Sequence, residues 1–337
     1  MSLRLLEIYH QKGKADEIDF LLKDLPLIDT WHYHVPENNE SVTKVLLKSE
    51  STDSILDVLH KFFPDERHIR IVILPVEATL PRPEEPIEEK KQDQPKEKSP
   101  QRISMEELYQ KMTVVSGLSR KFMVMAAVAT FVAGIGLLKN DVAIIIGSMV
   151  IAPLLYPNMA LSFATTLADI QLAQRAIKTN IIGFFLVLII SITMGLFMEV
   201  DPSTPQIVAR SNVSHFYIFL ALASGIAGAY SITAGVAEAL VGVMVAVAIL
   251  PPLVAAGLLL GGHYWINATG ALLLCFVNIV SVNLAGVVTF LIEGIQPKKW
   301  WEAEKARKAV WVAIPVWIIL LLILVILIYI EQNVRSM

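Results

Sequence analysis

Long apolar blocks between residues 122 and 330 constrain this 337-residue chain more than any other feature. Each block approaches the length that crosses a hydrocarbon core of about 30 Å. Composition agrees, because 55% of the residues are hydrophobic and only 18% are charged, against roughly 25% charged in an ordinary soluble domain. The sequence predicts an α-helical multi-pass membrane protein with about seven spans, at 122–138, 142–163, 180–198, 214–233, 236–260, 266–292 and 309–330.

Charge balance and cysteine content exclude two common classes of protein. A formal net charge of −3 leaves no concentrated basic face to displace the counterions of phosphate groups, so nucleic acid is not a predicted partner. The single cysteine, Cys275, lies in an apolar block and cannot form an intrachain disulfide. Charged residues recur from Arg4 onward, so no cleavable secretory signal is predicted, and the first span is expected to direct the chain to the membrane.

Basic residues near the ends of the predicted spans indicate the orientation, because cytoplasmic loops are enriched in Lys and Arg. Placing the N-terminus in the cytoplasm leaves only Lys139, Arg210 and Arg335 outside. The predicted location is the cell membrane, with a cytoplasmic N-terminus and an external C-terminus. The cytoplasmic set is Lys111, Arg120, Lys121, Arg175, Lys178, Lys298, Lys299, Lys305, Arg307 and Lys308.

Residues 1–78 differ from the rest of the chain in their charge and in an alternation of strand and helix patterns. Two segments, 15–25 and 51–62, repeat apolar residues at helical spacing. The order of the patterns is βαββαβ, which is typical of the α+β ferredoxin-like fold. The sequence predicts a cytoplasmic domain of this class, with strands at 3–9, 29–35, 42–48 and 69–74.

Two histidines of this domain, His32 and His34, alternate along one predicted strand. Their ring nitrogens could contribute to a metal site. No carboxylate or cysteine at usable spacing completes a ligand set, so solvent-facing residues on an edge strand are the favoured interpretation. Neither a metal nor a cofactor is predicted.

A stretch rich in Pro, Glu and Lys follows at 79–103, with too few apolar residues to offset the entropy cost of ordering. We expect a disordered linker there. Ser104 and Glu107 then form a capping box at the start of a short amphipathic segment, 104–121. This segment is predicted to be an interfacial helix at the membrane surface.

The apolar part contains an internal repeat at a constant offset of 95 residues. The stretch GSMVIAPLLYPNMA begins at Gly147, and the matching stretch GVMVAVAILPPLVA begins at Gly242. A unit of three spans must enter the membrane from opposite sides in its two copies, so the repeats are predicted to be inverted. The predicted parts are 122–198 for the first repeat, 214–292 for the second and 309–330 for an extra span.

These stretches also resemble a known family. The pattern G-x-M-x-x-A-P-L-x-x-P after Gly147, the A-I-L-P-P-L run around Pro251 and the Asn-rich sixth span are similar to the prokaryotic uncharacterised hydrophobic-domain membrane proteins. That family is catalogued as a domain of unknown function (number three hundred and eighty-nine), and the resemblance covers about residues 120–295. It implies a membrane location, no established activity and no catalytic residue.

Paired prolines in two spans indicate where a solute could bind. Pro153 and Pro157 lie in the second span, and Pro251 and Pro252 lie in the fifth, where each removes a backbone donor. Broken helices at matched positions of two repeats are typical of a substrate site near the middle of the membrane. Packing kinks without a ligand explain the same prolines equally well, since prolines are common in spans.

Polar side chains within the spans supply the candidate ligands of that site. Asparagines there could contact a solute, or could hydrogen bond between helices, which is the more common role. The predicted pathway residues are Pro153, Pro157, Asn158, Asn180, Pro251, Pro252, Asn278 and Asn283.

Two carboxylates, Asp141 and Glu238, stand near the starts of the second and fifth spans, at roughly matching repeat positions. One interpretation is that each complements the dipole at a helix N-terminus. The other is that they form gates at opposite mouths of a pathway, since an ionisable residue at membrane depth is a candidate site.

Together these features predict a transporter or channel for a small solute or ion, with the cytoplasmic domain regulating it or joining subunits of a homo-oligomer. A membrane-anchored scaffold or ligand-sensing signalling protein without transport is the alternative. An enzyme is not predicted, because His215 and His263 have no partners that would complete a catalytic site. The expected partners are the lipid bilayer and an unidentified solute.

Overall fold

Two compact units, Met1–Leu108 and Tyr109–Met337, make up the chain. The computed structural model describes residues 3–11, 13–23, 25–35, 40–63, 69–76, 79, 103–212, 216–235, 238–297 and 300–336. The predicted linker therefore lies almost wholly outside the described residues, as do Lys298 and Lys299. The domain boundaries drawn from the sequence stay predictions.

The first unit is a small antiparallel sheet with two helices. In chain order its elements are β1 (Leu3–Gln11), α1 (Ala15–Leu22), β2 (Leu27–Val35), β3 (Glu40–Lys48), α2 (Thr52–Phe62) and β4 (Ile69–Val76). The strands lie in the order β2-β3-β1-β4, and every neighbouring pair is antiparallel. The N-terminal sheet expected from the sequence is confirmed.

Apolar residues on one side of each helix enclose the core of this unit. Ile18 and Leu22 are one turn apart on α1, and Ile55 and Leu59 are one turn apart on α2, so each pair points in one direction. They pack on strand residues that alternate along the sheet and share one face. These strand residues are Leu6, Ile8, Val45 and Leu47.

The start of helix α3 (Met105–Val115) is fixed by hydrogen bonds within the first unit. Ser104 Oγ accepts from the Glu107 N–H at 3.2 Å, which is one half of the predicted capping box. Asp53 of α2 accepts from the Met105 N–H at 3.0 Å. The Glu107 carboxylate instead accepts hydrogen bonds from Nε and Nη2 of Arg4, at 3.1 Å each.

Helices make up the described part of the second unit after α3. They are α4 (Arg120–Leu138), α5 (Val142–Ile151), α6 (Leu155–Leu167), α7 (Ile170–Phe197), α8 (Pro205–Ser211), α9 (Phe216–Thr233), α10 (Glu238–Gly261), α11 (Trp265–Ile292) and α12 (Trp300–Ser336). Among the described residues five of these helices are long and apolar enough to cross a membrane, or six if α5 and α6 form one bent span.

A mostly helical architecture with five or six candidate spans is thus confirmed, while the full count of seven spans stays a prediction. The five helices are α4, α7, α9, α11 and the 306–331 part of α12. Helix α10 is continuous in its backbone, and its described side chains begin at Ile249. The stretch Ile249–Gly261 is apolar but is too short to span by itself.

The second predicted span is broken, whereas the fifth is not. Helix α5 ends at Ile151, α6 begins at Leu155, and the two axes differ by 51°. Pro153 lies in the break, and Pro157 lies in the first turn of α6, where a missing N–H removes no intrahelical hydrogen bond. Helix α10 runs without interruption through Pro251 and Pro252.

Helix α10 is the centre of the second unit. It contacts α4, α5, α7, α9 and α11, and its residues 249–259 are all buried. Glycines bring the axes of α7 and α10 close together. A Cβ atom on Gly195 would collide with the Leu258 carbonyl, and one on Gly257 would collide with the Ser191 side chain.

Helix α11 is packed as closely against two other helices. A Cβ atom on Gly225 of α9 would lie 2.8 Å from both Val282 O and the Ala285 Cβ. A Cβ atom on Gly286 of α11 would lie 2.7 Å from Ser162 Oγ of α6. These contacts join α6, α9 and α11 into one closely packed group.

Candidate functional site

Two of the predicted asparagines meet between α6 and α11. Asn283 Nδ2 donates to Asn158 Oδ1 at 3.0 Å and to the Ile279 carbonyl at 2.8 Å. Asn158 Nδ2 donates to the Leu154 carbonyl at 2.9 Å. We call Asn158, Ser162 and Asn283 the asparagine clamp.

Hydrogen bonds inside the asparagine clamp use most of its donors. Ser162 lies one turn after Asn158, and its Oγ is 3.1 Å from the Asn283 carbonyl and 3.2 Å from Asn283 Oδ1. Both amide hydrogens of Asn283 are occupied, because Nδ2 has two acceptors. All three side chains are nearly or fully buried. The clamp is therefore arranged to join two helices, and few of its groups remain for a solute.

A second group of predicted residues lines a cavity of about 230 Å³. Pro252 of α10 and Asn278 of α11 form part of its wall, together with residues of α8 and α9. The full lining is Ala209, Arg210, Tyr217, Leu220, Ala221, Pro252, Leu274 and Asn278. The cavity thus combines a mainly apolar wall with one amide, one phenol and one guanidinium.

Asn278 places part of the cavity wall near the middle of the candidate span α11. It lies 13 residues after Trp265, the first residue of α11, and 14 before Ile292, the last. At 1.5 Å per residue, the distance to either end is about 20 Å. The Asn278 side chain is 3% exposed, so a solute at this position would be largely shielded from bulk water.

Another part of the cavity wall is formed by the short helix α8 and the start of α9. Tyr217 donates its hydroxyl to the Ala209 carbonyl at 2.9 Å, which ties α9 to α8. Arg210 Nη1 donates to the Gln206 carbonyl at 2.8 Å and to Gln206 Oε1 at 2.7 Å. This pair of bonds holds the guanidinium stem along α8, beside the apolar wall.

Asn180 and Asp141 are not among the residues that line this cavity. Asn180 is half-buried on α7. Asp141 caps α5, since its Oδ1 accepts from the Ala143 and Ile144 N–H groups at 2.8 and 3.2 Å. That geometry agrees with the helix-dipole interpretation. The side chain of Glu238 lies outside the described residues.

Histidines of the first unit form a separate polar chain. His10 Nδ1 is 2.9 Å from the Gln11 carbonyl, and its Nε2 is 2.9 Å from Thr43 Oγ1. The same hydroxyl is 3.1 Å from His32 Nδ1, and His32 Nε2 is 3.1 Å from Asp19. Four contacts need four hydrogens, whereas two neutral imidazoles and one hydroxyl supply three.

Among the described residues, no three His, Cys, Asp or Glu side chains come together to hold a metal ion. The side chain of His34, the second histidine of the predicted strand, lies outside the described residues.

Comparison with known proteins gives the family. A model of the family described as a domain of unknown function (DUF389) matches residues 149–284. An uncharacterized protein of Methanocaldococcus jannaschii is 37% identical over 328 residues, which cover 97% of this chain and 99% of that protein. This chain belongs to the DUF389 family. No solved structure matches it.

The DUF389 match encloses both the asparagine clamp and every residue that lines the cavity. Sequence reasoning found Asn158, Asn278 and Asn283 but missed Ser162 and Arg210. Ser162 could have been found, because it follows Asn158 by four residues and so lies on the same helix face. Arg210 was noted only for orientation, although it is one of few basic residues expected on its side of the membrane.

Proposed function

We propose that this DUF389 protein moves a small solute or ion across the membrane. The cavity between α8, α9, α10 and α11 carries the proposal, because a buried amide halfway along a candidate span lines it. Its volume of about 230 Å³ is smaller than the roughly 300–1,000 Å³ typical of pockets for drug-sized ligands. A small solute is the occupant that fits.

We further propose that the membrane part is an inverted repeat, in which the helical elements α4, α5 with α6, and α7 correspond in order to α9, α10 and α11. Pro157 and Pro252, which match at the offset of 95 residues, fall in the second element of each group. The 51° bend near Pro153 interrupts the first of these two elements, whereas α10 is continuous. A discontinuous helix is a common origin of solute sites near the membrane midplane.

The first unit is proposed to be a cytoplasmic ferredoxin-like module that regulates transport or joins subunits. Its strand order β2-β3-β1-β4 and its βαββαβ element order support that fold class. The edge strand β2 exposes Trp31 and Tyr33, and an exposed edge offers unpaired backbone groups to a second copy. A homo-oligomer joined at this edge is the assembly we propose.

A scaffold without transport is the second candidate, and the asparagine clamp favours it. Its donors are used between helices, which is how polar residues stabilise membrane helix packing. Under this alternative the helices only anchor and assemble the protein, and no solute passes through the cavity.

Reconstitution in liposomes separates the two candidates. Purified protein is tested for flux of a panel of inorganic anions, inorganic cations and small metabolites, with empty liposomes as the baseline. Asn278→Leu removes the amide from the cavity and is expected to reduce flux at least tenfold. Asn180→Leu makes the same chemical change outside the cavity lining and should leave flux near the wild-type rate.

Two results would contradict transport through this cavity. One is the absence of flux for every solute in a panel that covers each charge class. The other is flux that Asn278→Leu leaves unchanged while the oligomer remains intact by size-exclusion chromatography.

A further inference from the structure

Arg210 gives the cavity a permanent positive charge. It is half-buried in α8, outside the candidate spans, and it lines the cavity together with Tyr217 and Asn278. A guanidinium stays protonated throughout the physiological pH range. Any solute that enters the cavity therefore meets this charge.

Hydrogen bonds leave part of the guanidinium available. A guanidinium carries five N–H groups, and the two on Nη1 can serve the two contacts with Gln206. Within the described part of the chain, Nε and Nη2 form no hydrogen bond and no carboxylate pairs with Arg210. Three N–H groups can therefore bind an acceptor brought by a ligand.

The cavity wall offers few polar groups that could replace the water molecules solvating this charge. Five of the eight lining residues are apolar, namely Ala209, Leu220, Ala221, Pro252 and Leu274. Burial there lowers the pKa of the Arg210 guanidinium, and the Tyr217 hydroxyl acts in the opposite direction. An incompletely solvated cation is costly unless an anion compensates it.

We propose that this cavity binds a small anion between the Arg210 guanidinium and the Asn278 amide. Nε and Nη2 of an arginine form the parallel pair of donors that suits a carboxylate or another oxoanion. The Asn278 side chain also lines the cavity, and its amide group carries N–H donors that suit an anion. The same charge disfavours cations.

This inference rests on the transport proposal and names the chemical class of its solute. A lipid phosphate offers the same oxoanion chemistry as a free ion. The cavity volume of about 230 Å³ favours a free ion of a few atoms. The experiment below contains one arm for each source.

Binding is measured without transport, on the full-length protein in a neutral detergent. The unfolding midpoint is followed during titration with sodium nitrate, acetate and phosphate in one arm, and with phosphatidylglycerol in the other. Sodium gluconate, a larger anion, controls for ionic strength. We expect a saturable rise in midpoint with at least one small anion and none with gluconate, because only a ligand of the native state stabilises it in this way.

Variants of Arg210 test whether the charge carries the binding. Arg210→Gln is expected to weaken the anion's apparent affinity about tenfold or more, the usual size of a lost hydrogen bond to a charged group. Arg210→Lys keeps the charge but loses the parallel donors, so its affinity for the anion should lie between those of the wild type and Arg210→Gln. Lys139→Gln removes another basic side chain, outside the cavity lining, and should bind as the wild type does.

The outcomes separate the anion inference from the transport proposal. Equal anion stabilisation of wild type and Arg210→Gln overturns the inference, as does flux of only cations or neutral solutes. Saturable binding that depends on Arg210, without flux, supports the anion site and overturns transport. Stabilisation by phosphatidylglycerol but by no free anion would assign the site to a lipid and overturn the free-ion assignment.

Discussion

Asn278 and Asn283 show that a single residue type has two roles on one helix. They are five residues apart on α11, which corresponds to about 140° around the axis and about 7.5 Å along it. Asn283 thus faces α6 and joins the asparagine clamp, whereas Asn278 faces the cavity. Replacing Asn283 should therefore lower stability, whereas replacing Asn278 should reduce flux.

Asn283→Leu is expected to lower stability without abolishing flux. It removes the bonds to Asn158 and Ser162 between two helices, and at about 0.6 kcal/mol each the loss is about 1 kcal/mol. Thermal unfolding in detergent measures the loss, and flux per folded molecule is measured in liposomes. Asn180→Leu is the matched control. A large fall in flux at unchanged stability would instead place Asn283 in the pathway.

Thr43→Val tests the polar chain of the first unit. Valine has the shape of threonine but removes the hydroxyl that contacts both His10 and His32. Since His10 is 2% exposed, its Nε2 would lose its partner inside the core, at a cost of about 1–3 kcal/mol. Amide hydrogen exchange of β1 and β3 should become faster by the factor to which this loss of free energy corresponds.

The control for that variant is Thr30→Val, which makes the same change on β2 at a position outside the chain of contacts. In the Thr30→Val variant, amide hydrogen exchange of β1 and β3 should stay at the wild-type rate. Equal rates for wild type and Thr43→Val would show that the hydroxyl contributes nothing to the stability of the sheet.

At the scale of elements, tight helix packing depends on particular glycines. A methyl group on Gly195 would meet the backbone carbonyl of Leu258, which cannot rotate away as a side chain could. Gly195→Ala is therefore expected to lower the free energy of unfolding by about 1–3 kcal/mol. The measurement is the unfolding midpoint in detergent.

Gly147→Ala is the matched control on α5. No atom lies within 4 Å of the position of its Cβ, so the added methyl group should stabilise the helix by up to about 1 kcal/mol. The two alanine variants should shift the midpoint in opposite directions. A rise for Gly195→Ala would show that α7 and α10 are farther apart than described.

Local patterns were sufficient to predict some of these elements. The helical spacing of Ile18 with Leu22 and of Ile55 with Leu59 predicts the buried sides of α1 and α2, because it depends only on helix geometry. Asp141 at a helix start predicts a cap for the same reason. Pro153 correctly indicated that the second span is interrupted.

Contacts between distant elements could not be predicted from one sequence. Ser162 and Asn283 are 121 residues apart, and their hydrogen bond requires particular faces of α6 and α11 to meet. Arg210 lies in a seven-residue helix, which is too short to show a periodic pattern. Its role depends on where α8 lies relative to Pro252, and that is set by the packing of four helices.

For the whole molecule, the extent of the first unit can be tested with fragments. Residues 1–108 keep the Arg4–Glu107 ion pair and the Asp53–Met105 hydrogen bond, which residues 1–78 lack. We expect the longer fragment to be the more stable by about 1 kcal/mol or more. Urea unfolding followed by circular dichroism measures the difference, and identical midpoints would contradict it.

Orientation is tested by single cysteines in the full-length protein. Thr204→Cys and Gln332→Cys should react with an impermeant thiol reagent added outside, and Gln94→Cys should not, if cytoplasmic basic residues set the topology. The wild-type protein is the control, because Cys275 is fully buried. Reaction of Gln94→Cys in intact cells would reverse the proposed orientation.

The glycine contacts also have a mechanical consequence. Helices α7 and α10 form one closely packed body, and α6, α9 and α11 form another, since an added Cβ atom at Gly195, Gly225 or Gly286 would collide with the neighbouring helix. The cavity lies where α10 of the first body faces α9 and α11 of the second. Widening it would move whole helices, so we expect solute exchange in microseconds to milliseconds, far slower than the rotation of a side chain.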